Sequence, residues 1–310
     1  MEAWSNITVA HRGEQIDIDG IGFRAISRLK MLDLLRVRAS SLGISPIFQS
    51  RVKDLSLFDD CDLVIAADGI NSVIRAGNPQ AYGESLYFLD NRFVWYGVAR
   101  PFDALTQTFR STEYGDFNAH HYRYSPTHST FLVECSPQAY EVAGFADMPE
   151  PEYRRVCQRL FAEELAGEPL INNHSVWRRF PVLENTRFYH RNRVLVGDAL
   201  HTAHYSIGSG TRLALEDVIA LIRALEAQDF NVGQALPAYQ SMREPVLNKL
   251  TAAALRSASW YDQFGEHMKL DPWSFALSYI MRSGRLDGET LRRMSPGFYR
   301  ELALRKIAVA

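Results

Sequence analysis

RVLVGDALHTAHYSIGSGTRLALEDVIAL, residues 193–221, decides the fold. It reads as a short apolar run, an Asp, two His, a Gly-Ser-Gly turn and then a helix. A second stretch, DLVIAADG at 62–69, repeats the first part of that layout. A continuous apolar run ended by an acid and a glycine is how a parallel strand reads when both its faces are covered. Strands are therefore predicted at 62–67 and 193–197. In open α/β sheets, ligands bind beyond the carboxyl ends of the strands. Asp68-Gly69 and Gly197-Asp198 both sit there. An Asp at such an end can accept hydrogen bonds from ligand hydroxyls, and the adjacent Gly lets backbone come close. Gly208-Ser209-Gly210 opens a helix predicted from about Thr211. Leu213, Leu215, Val218, Ile219, Ile222 and Leu225 would form its core-facing stripe. A glycine turn into a helix N-terminus offers free N–H groups and partial positive charge, which suit an anion or an electron-rich ring edge. The alternative is a merely structural turn; two Asp/Gly strand ends in one chain weigh against it.

Outward from these strands the chain changes character. Residues 1–20 are polar and carry no clear pattern. Helical spacing runs over Ser27–Leu42, with Ile26, Leu29, Leu32, Leu35 and Ala39 on one side and Gly43 as the stop. Ile44–Phe48 could form a short strand, weakened by Pro46. Residues 86–135 hold strand-like runs (LYFL, FVWYGVA, LTQTFR, FNAHHYRY, STFLVEC) separated by turn-type clusters such as Asp90-Asn91, which predicts an antiparallel sheet. A helix over Pro149–Leu165 and a strand near Val176–Phe180 follow. The tail is mostly helical. The fold class expected is α/β: an incomplete Rossmann-like domain (1–80, returning at 183–230), an inserted antiparallel sheet (81–182) and C-terminal helices (231–310).

Composition bounds the function. The chain has 310 residues, 46% hydrophobic and 23% charged, with net charge −2. No basic block points to nucleic acid. Cys61, Cys135 and Cys157 have no metal-ligand spacing and read as reduced thiols of a cytoplasmic protein, so no metal is expected. No apolar run approaches the roughly 20 residues needed to cross a bilayer.

DLVIAADGINSVIR (62–75) resembles the DG motif of single-component FAD-dependent aromatic hydroxylases, and RVLVGDALHTAHYSIGSGTRLALEDV (193–218) resembles their GD motif. GFRAISRLKMLDLLRVRASSLGI (22–44) and FNAHHYRYSPTHSTFLVEC (117–135) are similar to the subgroup of salicylyl-CoA and anthraniloyl-CoA hydroxylases and the violacein-pathway hydroxylase. The resemblance implies FAD as cofactor and NADH or NADPH as electron donor. It implies dioxygen as co-substrate, and transfer of one oxygen to an aromatic ring through a flavin hydroperoxide. Residue by residue, it implies that Arg28 reaches the FAD and that Asp68 and Gly69 lie near flavin and nicotinamide. Gly197 belongs to the GD turn, and Asp198 binds the ribityl chain. Gly208, Ser209, Gly210, Thr211 and Arg212 present N–H groups to the flavin edge. His204 and Tyr205 flank the reacting ring.

In FNAHHYRY, Asn118, His120, Tyr122 and Tyr124 alternate onto one face and Phe117, Ala119, His121 and Arg123 onto the other. The first face is the candidate lining of the aromatic pocket, with His120 as hydrogen-bond partner or base. A core-packing role for that His is the alternative. The resemblance implies a small aromatic substrate, as an aryl-CoA thioester or an indole-derived ring. Arg282, Arg285, Arg292 and Arg293 do not mark a clear CoA-phosphate site.

The family opens with a βαβ unit carrying G-x-G-x-x-G. Here only Gly20-Ile-Gly22-Phe-Arg-Ala25 has near spacing, and the preceding EQIDID alternates instead of reading as a buried strand. No acid follows about 20 residues on, as the fingerprint needs. The nucleotide-binding unit is therefore expected to be missing, which would leave an open edge and bare apolar faces at 62–67. A shortened hydroxylase, completion by another chain (a homodimer included) and a remnant that no longer holds FAD are the readings that follow. A halogenase is disfavoured, because Trp177-Arg-Arg-Phe-Pro181 does not match W-x-W-x-I-P.

Overall fold

A computed structural model describes residues 1–309. The chain forms two compact units, residues 1–46, 90–179 and 261–310 in one, and 47–89 and 180–260 in the other. This division departs from the sequence-based partition: residues 1–46 and the last helices group with the antiparallel sheet.

In the first unit, seven strands follow in the order Leu170–Ile171, Glu84–Val98, Ser129–Cys135, Gly115–Arg123, Leu105–Thr112, Ile7–His11 and Glu14–Ile18. The antiparallel core of this sheet is the one its alternation predicts. Asp90-Asn91 is no turn, however: the strand Glu84–Val98 runs straight through. The buried Asn91 amide donates to Glu134 (2.8 Å) and to the Tyr261 carbonyl (2.9 Å), so its polarity is satisfied inside the fold. Residues 1–20 do contain strands. Ile7–His11 joins the sheet parallel to Leu105–Thr112, with Ile7 opposite Leu105. Its pattern is hidden because Thr8, Gln15 and Asp17 occupy the less covered face and the pairing partner is about a hundred residues away. The sheet face carrying Phe117, Ala119, Phe131, Val133 and Tyr96 packs on Phe145, Tyr153 and Phe161 as one apolar core.

Gly20 is fixed by sterics. Its φ is +71°, and a Cβ there would lie 1.7 Å from the Met294 carbonyl oxygen. Gly20→Ala is expected to destabilise this unit by about 2 kcal/mol or more, read as a lowered thermal midpoint. Gly20–Ala25 is no dinucleotide turn, since Phe23–Ala25 is a strand paired antiparallel with Glu2–Trp4.

The helix expected at Ser27–Leu42 runs Arg28–Ser41, with the Ser27 hydroxyl accepting from the Lys30 N–H. None of its residues is buried, and Leu29, Leu32 and Leu35, expected on a covered face, are exposed. Periodicity reports which face a helix offers, not whether this chain covers it. Ile44–Phe48 forms no strand; Ile47 and Phe48 are exposed, and Pro46 removes a ladder donor.

The second unit holds the parallel pair. Arg193–Leu195 lies between Tyr189–His190 and Val64–Ala66, and pairs in parallel with the latter, Leu195 opposite Ala66. Among the described residues no strand pairs with the outer edge of Val64–Ala66. Ala66 is buried, but Ile65 is 45% exposed, so the strand is not covered on both faces. The helix Gly210–Ala227 starts at the glycine turn. Its buried side is Leu213, Asp217, Ala220, Leu221, Ala224 and Leu225. Leu215, Val218, Ile219 and Ile222, assigned to the same stripe from spacing, are 43–48% exposed. The helix is apolar on two sides and this unit covers one of them. The helix Val232–Asp262 packs Leu236, Tyr239 and Leu247 into the same core as Val194 and Leu195.

Candidate cofactor and substrate sites

In the second unit, the two parallel strands deliver the two Asp/Gly pairs to one edge. The Val196 N–H still bonds the Ala66 carbonyl (3.0 Å), and both chains turn away just beyond it. Gly69 takes φ +80° with open space where a side chain would be. Asp68 is exposed and caps the short helix Val73–Ala76 by accepting from the Val73 N–H (2.8 Å). Gly197 has φ +59°, and a Cβ would come 3.1 Å from that of Ala214. This turn is therefore pressed against the helix that follows, while Asp198 beside it is exposed.

Two buried side chains missed at the level of sequence hold these turns. Arg75 donates to the carbonyls of Ile70 and Ala199 (2.8 Å for the latter) and to Glu84 (2.7 Å), tying the turn after Asp68 to the turn after Gly197. Asp217 accepts from the Gly197 N–H (2.9 Å) and from Arg243 Nε (2.6 Å), and lies 2.8 Å from His201 Nε2. Burial pushes the Asp217 carboxyl upward, but the bonds from His201, Arg243 and Gly197 outweigh it and hold it below the usual range. Arg75 and Asp217 both lie inside the stretches quoted above, so the signal was present. Arg243 sits in a long helix with nothing local to mark it.

His204 is buried and accepts from the Ser206 N–H at Nδ1 (3.4 Å); Ser206 in turn lies 2.7 Å from the Ser257 hydroxyl. The same Nδ1 lies 2.8 Å from the Ser206 hydroxyl. The His204 and Tyr205 rings are 4.1 Å apart, and both meet Phe180 edge-on. Gly208 turns at φ +59°, the Ser209 hydroxyl donates to the Ile207 carbonyl, and Gly210, Thr211 and Arg212 form the first turn of the helix. Thr211 and Arg212 are exposed, and Arg212 bonds Glu216 (2.8 Å). Open space at Gly69 and Gly210, exposed carboxylates at the strand ends and an uncapped helix start fit the hydroxyls and ring edge of a flavin nucleotide.

In the first unit, Arg28 is the exposed first residue of its helix. His120 stands opposite Gln107 and Leu132 in the sheet. Its Nε2 is buried with no hydrogen-bond partner among the described residues. Burial, and secondarily the positive charge of Arg282, lower its pKa to about 3, so it is neutral at ordinary pH. The Tyr122 ring lies 5.4 Å from it and packs against Trp4 and Phe23. Behind them Gln107 Oε1 accepts from Asn118 (3.2 Å) and Tyr261 (3.0 Å). Tyr124 lies beyond the strand end, where its N–H closes a turn on the His128 carbonyl. His121 points to the opposite face and stacks on Phe131 at 5.2 Å.

A family model described as an FAD binding domain matches residues 33–254. Salicyloyl-CoA 5-hydroxylase of a Streptomyces species is 33% identical over 90% of this chain and 56% of its own length. The 3-hydroxy-4-methyl-anthranilyl-(aryl-carrier protein) 5-monooxygenase of Streptosporangium sibiricum is 37% identical over 84% of this chain and 69% of its own. The chain thus spans little more than half the length of the first of these relatives. The solved structure of PqsL, a probable FAD-dependent monooxygenase from Pseudomonas aeruginosa, shares the fold, with a TM-score of 0.62 at 20% identity over 89% of this chain and 81% of that one. With the paired Asp/Gly strand ends and the glycine turn into a helix, these likenesses place the chain in the FAD-binding-domain family of flavoprotein aromatic hydroxylases.

Proposed function

We propose that this chain carries the FAD and substrate sites of an NADH- or NADPH-dependent monooxygenase that hydroxylates an aromatic ring presented as an acyl thioester. The observation that carries the reading is the pair of Asp/Gly turns at one edge of the parallel strands, next to an uncapped helix start. Asp198 accepts from the ribityl hydroxyls. The Gly208–Arg212 turn gives its N–H groups to the pyrimidine edge, where negative charge gathers on reduction. Asp68 and Gly69 line the approach, and Arg28 reaches the cofactor from its helix. Bound FAD supplies hydride acceptance and dioxygen activation. The thioester class rests on the relatives that act on CoA- and carrier-bound aryl groups.

His204 and Tyr205 flank the ring to be hydroxylated. His120, with Tyr122 and Tyr124, belongs to the substrate side. Its unpartnered Nε2 and its pKa of about 3 favour a neutral hydrogen-bond partner over a base. Activity therefore carries no inflection from His120 between pH 5 and 9. His120→Ala, which deletes one hydrogen bond to substrate, is expected to lower kcat/KM about 10-fold or more, while FAD affinity stays unchanged.

The test is incubation with FAD, NADH or NADPH, and a series of aryl-CoA thioesters, with mass detection of products. A product heavier by one oxygen, formed only with the nicotinamide, supports the reading. Substrate-independent nicotinamide oxidation across the whole series contradicts it.

A further inference from the structure

The second unit contains a cavity of about 490 Å³ that no role above uses. It lies where the strand Arg193–Leu195 begins, at the end of the parallel pair away from the Asp/Gly turns. Leu55, Ile74 and Tyr82 line part of it, and a single hairpin supplies much of the rest. That hairpin joins Tyr189–His190 to Arg193–Leu195 through Arg191 and Asn192. His190 and Arg193 stand directly opposite in its register, so their side chains share one face. His190, Arg191 and Arg193 thus bring two guanidinium groups and an imidazole to the cavity, against one carboxylate, Asp59.

Part of this polarity is already used. The Asn192 amide donates to the Cys61 carbonyl (2.6 Å). Arg193 Nη2 donates to Asp59 (2.9 Å), which answers the one negative charge. Its Nε and Nη1 make no bond among the described residues. Arg191 forms no hydrogen bond or ion pair among the described residues. It also sits at φ +54°, in a tight hairpin turn where Gly or Asn is the comfortable residue. Tyr82 is 1% exposed, yet its hydroxyl has no hydrogen-bond partner among the described residues. The His190 ring stands edge-on to it, 6.3 Å between centroids. Burial raises the Tyr82 pKa, so the phenol keeps its proton and can donate. A free guanidinium, a second with donors to spare and a buried hydroxyl line one cavity without acceptors. A carboxylate offers two oxygens to such a set. A phosphate offers three or more, and the planar guanidinium fork matches them.

We propose that this cavity binds a phosphate group, free or as a small phosphomonoester, held by Arg191, Arg193 and the Tyr82 hydroxyl, with any organic body against Leu55 and Ile74. The site is separate from the proposed flavin site, since Asp68 and Asp198 lie beyond the other end of the same strands.

Calorimetric titration of the full chain with inorganic phosphate and with phenyl phosphate tests this. Saturable binding is expected; tighter binding of phenyl phosphate marks an ester as the ligand, and equal affinity marks phosphate itself. Arg191→Gly suits the positive φ, so the thermal midpoint should stay level or rise while binding weakens about tenfold or more. Tyr82→Phe deletes only the hydroxyl and should weaken binding about threefold or more. Two results would overturn the proposal: no saturable binding of either probe, or binding that both substitutions leave unchanged.

Discussion

Asp217→Ala is expected to cost about 3–5 kcal/mol of stability, because it takes from the buried Arg243 its closest counter-charge, leaving only Glu216 (3.2 Å), and takes from the His201 ring its partner. The Gly197 N–H loses its acceptor as well. The damage falls on the turn that carries Asp198, so FAD affinity should drop together with the denaturation midpoint. The sign of the pH dependence follows from the same network. The folded carboxyl is held below its ordinary value of 3.8. Its contribution is therefore fully present above that value and is lost as pH falls through the lower, folded pKa. Wild-type stability should decline steeply with acid below about pH 4, and Asp217→Asn should flatten that decline. Chemical denaturation at several pH values reads both effects. A wild-type midpoint that Asp217→Ala leaves unmoved would mean the network is not built as described.

The second large effect concerns Arg75. Its guanidinium spans the turns after both strand ends by way of the Ile70 and Ala199 carbonyls. Arg75→Ala removes donors from the buried Ala199 carbonyl and the half-buried Ile70 carbonyl and leaves Glu84 without its ion pair, at a cost of about 2–4 kcal/mol. FAD affinity should fall by about tenfold or more as the two Asp/Gly turns lose their common brace. Arg75→Lys should recover little, since one ammonium cannot reproduce a planar fork that serves three acceptors. Fluorescence-quenching titrations of the three proteins separate these cases, and equal affinities would refute the bracing role.

Much of this was legible in the sequence because it is written locally. The parallel strands, the glycine turn and the antiparallel runs each carry their pattern within about ten residues. What was not legible depended on partners far away in sequence. Ile7–His11 gains its strand identity from Leu105–Thr112, and Asn91 its place in a strand from Glu134 and Tyr261. The stripe on Gly210–Ala227 was misassigned for a related reason. Leu215, Val218, Ile219 and Ile222 have the spacing of a buried face, and Asp217, polar and so discounted, takes a fully buried seat beside Leu213 and Ala224. A buried acid is invisible to hydropathy, and only its partners Arg243 and His201 reveal it. Periodicity likewise could not say that Arg28–Ser41 would find no cover. At the substrate side, alternation placed His120 and Tyr122 on one face, but strand length decided that Tyr124 falls outside it.

The most direct measurement is a visible-absorbance titration of the 310-residue chain with FAD, run beside Asp198→Ala. A saturable perturbation of the flavin bands is expected, with binding about tenfold or more weaker in the variant, because the carboxylate proposed to accept the ribityl hydroxyls is gone. A flavin spectrum that stays free-like at excess protein, or identical affinities for the two proteins, would contradict it.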